Sequence, residues 1–284
     1  MRPCPSCQNE TGLSYLWGTD IVHCPQCDLS YRDTLPTLEE LAQIYSDEAY
    51  FNGRFYADYV ADKHGAQLNL RHRLNKIREY QDGGEALFEA GCAHGFFLEL
   101  AQAYWKRVQG IDMSTEAVAY AHDVLKLDVS LGDFESHPPA PNAFDAVTMW
   151  DTIEHLYDPV LAVRKSAEAL RPGGILALTT GDIAALLPRL QKTSWRLILP
   201  QHLYYFSRRS LTWLLNAHGF DVIHVSHVGY YRSLNQMAEI ITWHHPESAW
   251  RQRLRQQVGK LPFIQTQIPL NLYDIIFVIG RKRG

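Results

Sequence analysis

Residues 87–97 read Leu87-Phe88-Glu89-Ala90-Gly91-Cys92-Ala93-His94-Gly95-Phe96-Phe97. An apolar run enters a turn carrying two glycines, and a second apolar run leaves it. That is the pattern of a strand, a tight turn and a helix start, with glycine letting the backbone turn sharply and a ligand come close. It is not the dinucleotide pattern G-x-G-x-x-G, because Ala93 holds the place of the second glycine. Alone the turn is weak evidence, and the carboxylates at the ends of the neighbouring strands give it weight.

From Ala86 onward, strand and helix signals alternate. Strands are predicted at 86–90, 108–112, 128–131, 144–150, 175–180, 221–228 and 273–279, with helices between them. Asp158-Pro159 caps one helix and Arg171-Pro172-Gly173-Gly174 ends it. Such alternation predicts a doubly wound, Rossmann-like α/β fold around a mostly parallel seven-stranded sheet. In open parallel sheets ligands bind outside the carboxyl ends of the strands. Three carboxylates fall there: Glu89, Asp112 in Gly110-Ile111-Asp112-Met113-Ser114, and Asp133 in Gly132-Asp133-Phe134-Glu135. A carboxylate at Asp112 suits both ribose hydroxyls of an adenosyl group. Asp133 and Phe134 suit the adenine amino group and ring.

These runs, in this order, resemble the successive motifs of class I S-adenosylmethionine-dependent methyltransferases. Trp150-Asp151-x-x-Glu154-His155-Leu156-x-Asp158-Pro159 and Leu170-Arg171-Pro172-Gly173-Gly174 extend the likeness. By it, Glu89, Gly91, Cys92, Gly95, Phe96, Asp112, Met113, Asp133, Phe134 and Trp150 form the cofactor site. The stretch from Trp195 to Phe220, containing His202-Leu203, Phe206-Ser207 and Gly219-Phe220, resembles the ubiquinone-type O-methyltransferase group. That likeness makes His202 a wall of the active site.

Methyl transfer to a hydroxyl needs a base near the acceptor. His155 and His202, with Asp151, are the catalytic candidates; the plain alternative is that they cap or pin loops. Asp151, Glu154 and His155 also resemble the E-x-x-E-H group that ubiquinone-type relatives associate with a divalent ion.

The N-terminus carries a separate signal. Cys4, Cys7, Cys24 and Cys27 stand as C-x2-C-x16-C-x2-C, two knuckles whose thiolates complete a closed tetrahedral zinc site. A module of about thirty residues has too little core to fold without such a metal. The expected division is a zinc ribbon over 1–33, a helical lead-in and cover over 34–84, and the catalytic domain over 85–284 with inserts near 183–205 and 230–268. A capping box, Thr37 with Glu40, starts a helix at Leu38, and a second helix is expected over 55–80. The aromatic segment Tyr50 to Tyr59 and Tyr230-Tyr231-Arg232 are candidate substrate walls. A helix over 246–260, with Trp250 and Leu254 on its apolar face and arginines around them, is expected to pack on the domain or on a twin subunit.

Composition bounds the function. The chain has 284 residues and a formal net charge of −4, without the basic surplus of a phosphate-gripping protein. An odd number of cysteines and no apolar leader after Met1 lead to the expectation of a cytoplasmic protein without disulfides. No apolar run reaches the ~18 residues of a membrane span. The expected activity is methyl transfer from S-adenosylmethionine to a small molecule or sugar-type intermediate, on oxygen ahead of carbon or nitrogen. The alternatives are an RNA methyltransferase reading nucleic acid through the ribbon, and an inactive binding protein on the same fold.

Overall fold

The computed structural model describes residues 1–37, 40, 60, 62–234, 237, 250, 253, 257 and 266–284. The helix start at Leu38, the aromatic segment Tyr50 to Tyr59 and nearly all of 246–260 lie outside the described residues. The capping box before them is present: Thr37 N–H donates to Glu40 at 2.7 Å, and Glu40 N–H donates to Thr37 Oγ1 at 3.2 Å.

Seven strands form the central sheet: β4 (Gly84–Ala90), β5 (Trp105–Asp112), β6 (Asp128–Leu131), β7 (Phe144–Trp150), β8 (Leu170–Gly181), β10 (Phe220–His227) and β13 (Ile275–Lys282). Their order is β10-β13-β8-β7-β4-β5-β6. The five strands from β8 to β6 are parallel, and β13 inserts antiparallel between β8 and β10. Strand β8 begins at Leu170, before the Pro172-Gly173 turn that was expected to separate helix from strand.

Side chains alternate across this sheet as the pleat demands. Phe88, Val147, Leu176 and Val278 enter one apolar cluster, whereas Leu87, Ala146, Ile175 and Phe277 enter the other. The second face is covered by α1 (Lys63–Arg78) and α2 (Phe96–Ala101). The first is covered by α4 (Pro159–Ala169) and α6 (Arg208–Ala217), both capped as their sequences require. Asp158 accepts from Leu161 N–H, and Ser207 forms a capping box with Ser210. Helix α3 (Thr115–Ala119), capped by Ser114, runs into one π-helical turn before β6, and α5 (Leu186–Gln191) lies in the insert after β8.

The cysteine-bearing segment contributes β1 (Ser14–Tyr15), β2 (Ile21–His23) and β3 (Ser30–Arg32). Strand β3 pairs with β9 (Tyr204–Tyr205), from the insert that carries His202. Cys4, Cys24, Cys27, Leu29 and Tyr31 share the apolar cluster of Phe88, Val147 and Leu176. The ribbon thus closes one face of the sheet. A short hairpin, β11 (Tyr230–Ser233) with β12 (Gln267–Leu270), sits against α1, where Asn69 takes both backbone groups of Tyr231. Among the described residues no helix is long and apolar enough to cross a membrane.

Candidate active site

The turn after β4 is shaped by positive φ angles at Gly91 (71°), Ala93 (44°) and Gly95 (74°). A Cβ on Gly91 would meet Thr152 Oγ1 at 2.5 Å, and one on Gly95 would meet Leu127 Cδ1 at 2.5 Å. Positive φ favours glycine at both positions, and at Gly91 the short Thr152 side chain also closes the space. Ala93 tolerates its left-handed backbone at a cost of about 1–2 kcal/mol. Its N–H donates to Asp112 Oδ2 at 2.8 Å, which helps offset that strain.

Asp112 ends β5 with one oxygen on Ala93 N–H and the other on Ser114 N–H. Each oxygen keeps a further lone pair, enough for two hydroxyl donors. Burial raises its pKa against these backbone donors. Next to it Met113 is 52% exposed, an apolar side chain open at the sheet edge. Glu89 is buried at the tip of β4, and its Oε2 has no hydrogen-bond partner. Burial, then the charge of Asp112, pushes its pKa well up, opposed only by Arg73. A buried carboxylate left in this state is costly unless a cation meets it.

Asp133 follows β6 and accepts Ser136 N–H at 2.7 Å. The Phe134 ring, expected from the sequence beside the adenine, packs against Phe88 with centroids 5.8 Å apart and is buried. Cys92 and Phe96 are likewise buried packing residues; Cys92 fills the space over Gly110.

The Asp151 carboxylate is held by partners other than Glu154 and His155. Its Oδ2 takes Arg73 Nη2 at 3.1 Å and the Tyr230 hydroxyl at 2.6 Å, and its Oδ1 takes the Thr179 hydroxyl at 2.9 Å. Burial alone would raise this carboxyl, but the Arg73 charge and the two hydroxyls outweigh it and hold it below the usual range. Burial, then the charge of Asp151, raises Tyr230 against the lowering charge of Arg73. Arg73 lies over the rings of Trp150 and Tyr230, at 5.4 and 5.1 Å. Arg73 was not among the predicted site residues, and Tyr230, expected as a candidate substrate wall, was not predicted to pair with Asp151. Both stand far from Asp151 in sequence, and a lone arginine on a helix face carries no local signal.

Glu154, His155 and His202 come together, each offering a ligand atom within 4.8 Å of the others. The imidazoles of His155 and His202 meet edge to face at 4.6 Å. His155 Nδ1 lies 3.2 Å from Gln201 O, which assigns it the proton and leaves the lone pair on Nε2. Burial lowers His155 to about 4 despite that carbonyl, and lowers His202 well below its ordinary value. Burial, with the charge of Asp151, raises Glu154 to about 8. Burial thus favours the uncharged forms of all three groups, a set able to accept one proton or to ligate one cation. Asp151 is outside this group, so the cluster that could hold an ion joins Glu154 and His155 to His202 rather than to the Asp151 of the D-x-x-E-H resemblance.

In the ribbon the Sγ atoms of Cys4 and Cys27 are 3.4 Å apart and those of Cys7 and Cys24 are 3.6 Å apart. A tetrahedron of ~2.3 Å zinc–sulfur bonds has edges of about 3.8 Å, so the four thiols are close to a metal-ready arrangement.

Comparison with known proteins agrees with this geometry. A probable S-adenosylmethionine-dependent methyltransferase of Mycolicibacterium smegmatis is 29% identical over 140 residues, covering 49% of this chain and 53% of that one. The ubiquinone biosynthesis O-methyltransferase of Sodalis glossinidius is 34% identical over 116 residues, covering 38% and 47%. The chain thus spans about half the length of these curated relatives. The phosphoethanolamine N-methyltransferase 2 of Haemonchus contortus, solved with S-adenosyl-L-methionine, shares the fold at TM-score 0.58 and 15% identity, over 90% of this chain and 62% of that one. The methyltransferase domain family profile matches residues 63–225, more than half of the chain, from α1 through β10. The chain belongs to the methyltransferase domain family, of the class I S-adenosylmethionine-dependent type.

Proposed function

We propose that this protein transfers a methyl group from S-adenosylmethionine to a hydroxyl of a small molecule, with His155 and His202 handling the acceptor proton. The observation that carries this reading is the pairing of an unpartnered buried carboxylate, Glu89, with a ribose-ready carboxylate, Asp112, at neighbouring strand tips. Glu89 suits the ammonium of the methionine end, and Arg73, close enough to oppose the rise in its pKa, suits the carboxylate of that end. Asp112 suits the ribose, and Met113 with the backbone of Asp133 and Phe134 suits the adenine.

When bound, this cofactor supplies an electrophilic methyl on a sulfonium that is its own leaving group. The protein then has to align an acceptor and take its proton. Trp150 and Tyr230, held by Arg73, form an apolar floor at the end of β7. His155 and His202, neutral in this setting, supply the base. Hydroxyl acceptors match the ubiquinone-type relatives and the two-histidine site; a sugar-type intermediate fits the same chemistry. We assign the ribbon a structural zinc on Cys4, Cys7, Cys24 and Cys27, which would hold the ribbon closed and take no part in the reaction.

The test is methyl transfer from labelled cofactor to a panel of catechols, phenols and sugar nucleotides. His202→Asn and His155→Asn are expected to leave S-adenosylhomocysteine binding intact and to lower turnover by about 10²–10⁴-fold for the residue that acts as base. Full turnover in both variants would remove the histidines from the mechanism.

A further inference from the structure

His202 sits on a strap, residues 199–203, that is gripped from the ribbon side. The grip comes mainly from Arg32, the last residue of β3. Its backbone N–H donates to Leu203 O at 2.9 Å. Its Nε donates to His202 O at 3.1 Å and its Nη2 to Leu199 O at 3.0 Å. Its Nη1 meets both oxygens of Asp20, at 2.7 and 2.9 Å, which fixes the plane of the guanidinium. From the other side His155 takes Gln201 O. Four carbonyls of the strap are therefore engaged, three by one arginine and the fourth by the neighbouring histidine.

We propose that Arg32 is a positioning residue: it clamps the strap to the ribbon and so sets where the His202 imidazole stands beside His155. This rests on the proton-handling role proposed for His202. It makes the ribbon and the proton-handling site one mechanical unit, although their residues lie some 170 positions apart in sequence. The β3–β9 pairing and the bond from Ser207 Oγ to Asp28 Oδ2 at 2.5 Å run alongside the clamp, so removing the guanidinium loosens the strap without detaching it. Lysine cannot replace the fork. An ammonium is a single point donor, whereas a planar guanidinium reaches two carbonyls and a carboxylate at once.

The experiment compares the full-length wild-type protein with Arg32→Ala, Arg32→Lys and His202→Asn. It reads three quantities: S-adenosylhomocysteine affinity, amide hydrogen exchange over residues 199–206, and turnover of a hydroxyl acceptor that the wild type methylates. In both Arg32 variants affinity should stay within about twofold, because the clamp bonds the strap and not the cofactor turn. Exchange over 199–206 should rise, and kcat should fall by about 10–100-fold with a smaller change in KM, as expected when a reacting group is displaced by about an ångström. Arg32→Lys should resemble Arg32→Ala. Unchanged exchange over 199–206 with kcat within about twofold of wild type would overturn the proposal, as would full rescue by lysine, which would reduce Arg32 to a charge. If Arg32→Ala does not fold, Arg32→Lys carries the test. If His202→Asn alone keeps full turnover, the proton-handling role of His202 fails, while the exchange data still decide whether Arg32 holds the strap.

Discussion

Replacing Arg73 by methionine isolates the buried pair beneath the candidate acceptor floor. Arg73 is almost wholly enclosed and bonds Asp151, whose side chain keeps 33% exposure. Removing one partner of a fully buried ion pair costs roughly 3–5 kcal/mol, because the remaining charge is stranded. Here the Thr179 and Tyr230 hydroxyls still hold Asp151, and water screens its open edge. Screening brings the cost below that range, to about 2–3 kcal/mol. The sign with pH comes from the pKa directions. In the wild type the Asp151 carboxyl lies below its ordinary value, so its stabilising contribution is present at neutral pH and is lost as pH falls through that lowered value. Without Arg73, burial dominates and the carboxyl rises, so the penalty is full at neutral pH and shrinks on acidification. Urea unfolding followed by tryptophan fluorescence, at pH 7.5 and 4.5, measures both. A second substitution, Asp151→Asn, should recover about 1–2 kcal/mol in the Arg73→Met background while costing stability in the wild type. A loss below about 0.5 kcal/mol at pH 7.5, or equal effects of Asp151→Asn in both backgrounds, would refute this reasoning.

Two further outcomes are expected. Glu154, raised by burial to about 8, should make the metal-free protein lose stability as pH climbs from its ordinary 4.5 toward 8, by at most about 1.4 kcal/mol per pH unit; Glu154→Gln should flatten that slope, and an unchanged slope would show that another group sets it. Elemental analysis should find about one zinc per chain, and stripping it with a chelator, or Cys24→Ser, should lower the melting temperature and raise exchange at β3 and β9 together, because the thiols and the sheet share one core; a chelated protein that melts like the parent would contradict this.

The chain itself announces its parallel strands because they are buried on both faces. Runs such as Phe144 to Trp150 and Ile175 to Thr180 are mostly apolar, and each is closed by a recognisable cap or glycine turn. The cysteine knuckles are equally local. What sequence reading missed is long-range. Strand β9 has only two residues, too short for any periodicity, yet it joins the ribbon to the catalytic face. Arg73 lies 78 positions from the carboxylate it pairs with, and Tyr230 lies 79 away on the other side. Phe134 shows how a motif residue also serves the core. Its place in the motif suggests an adenine contact, and its ring also packs on Phe88, a contact 46 positions away that no local pattern marks.

Calorimetric titration with S-adenosylhomocysteine, on the wild type and on Asp112→Ala, tests the central claim most directly. The account predicts one site per chain in the wild type and an affinity lower by about 30-fold or more in Asp112→Ala, the worth of roughly 2 kcal/mol of ribose hydrogen bonding to a charged group. Equal affinity in the two proteins, or no binding to either, would contradict it.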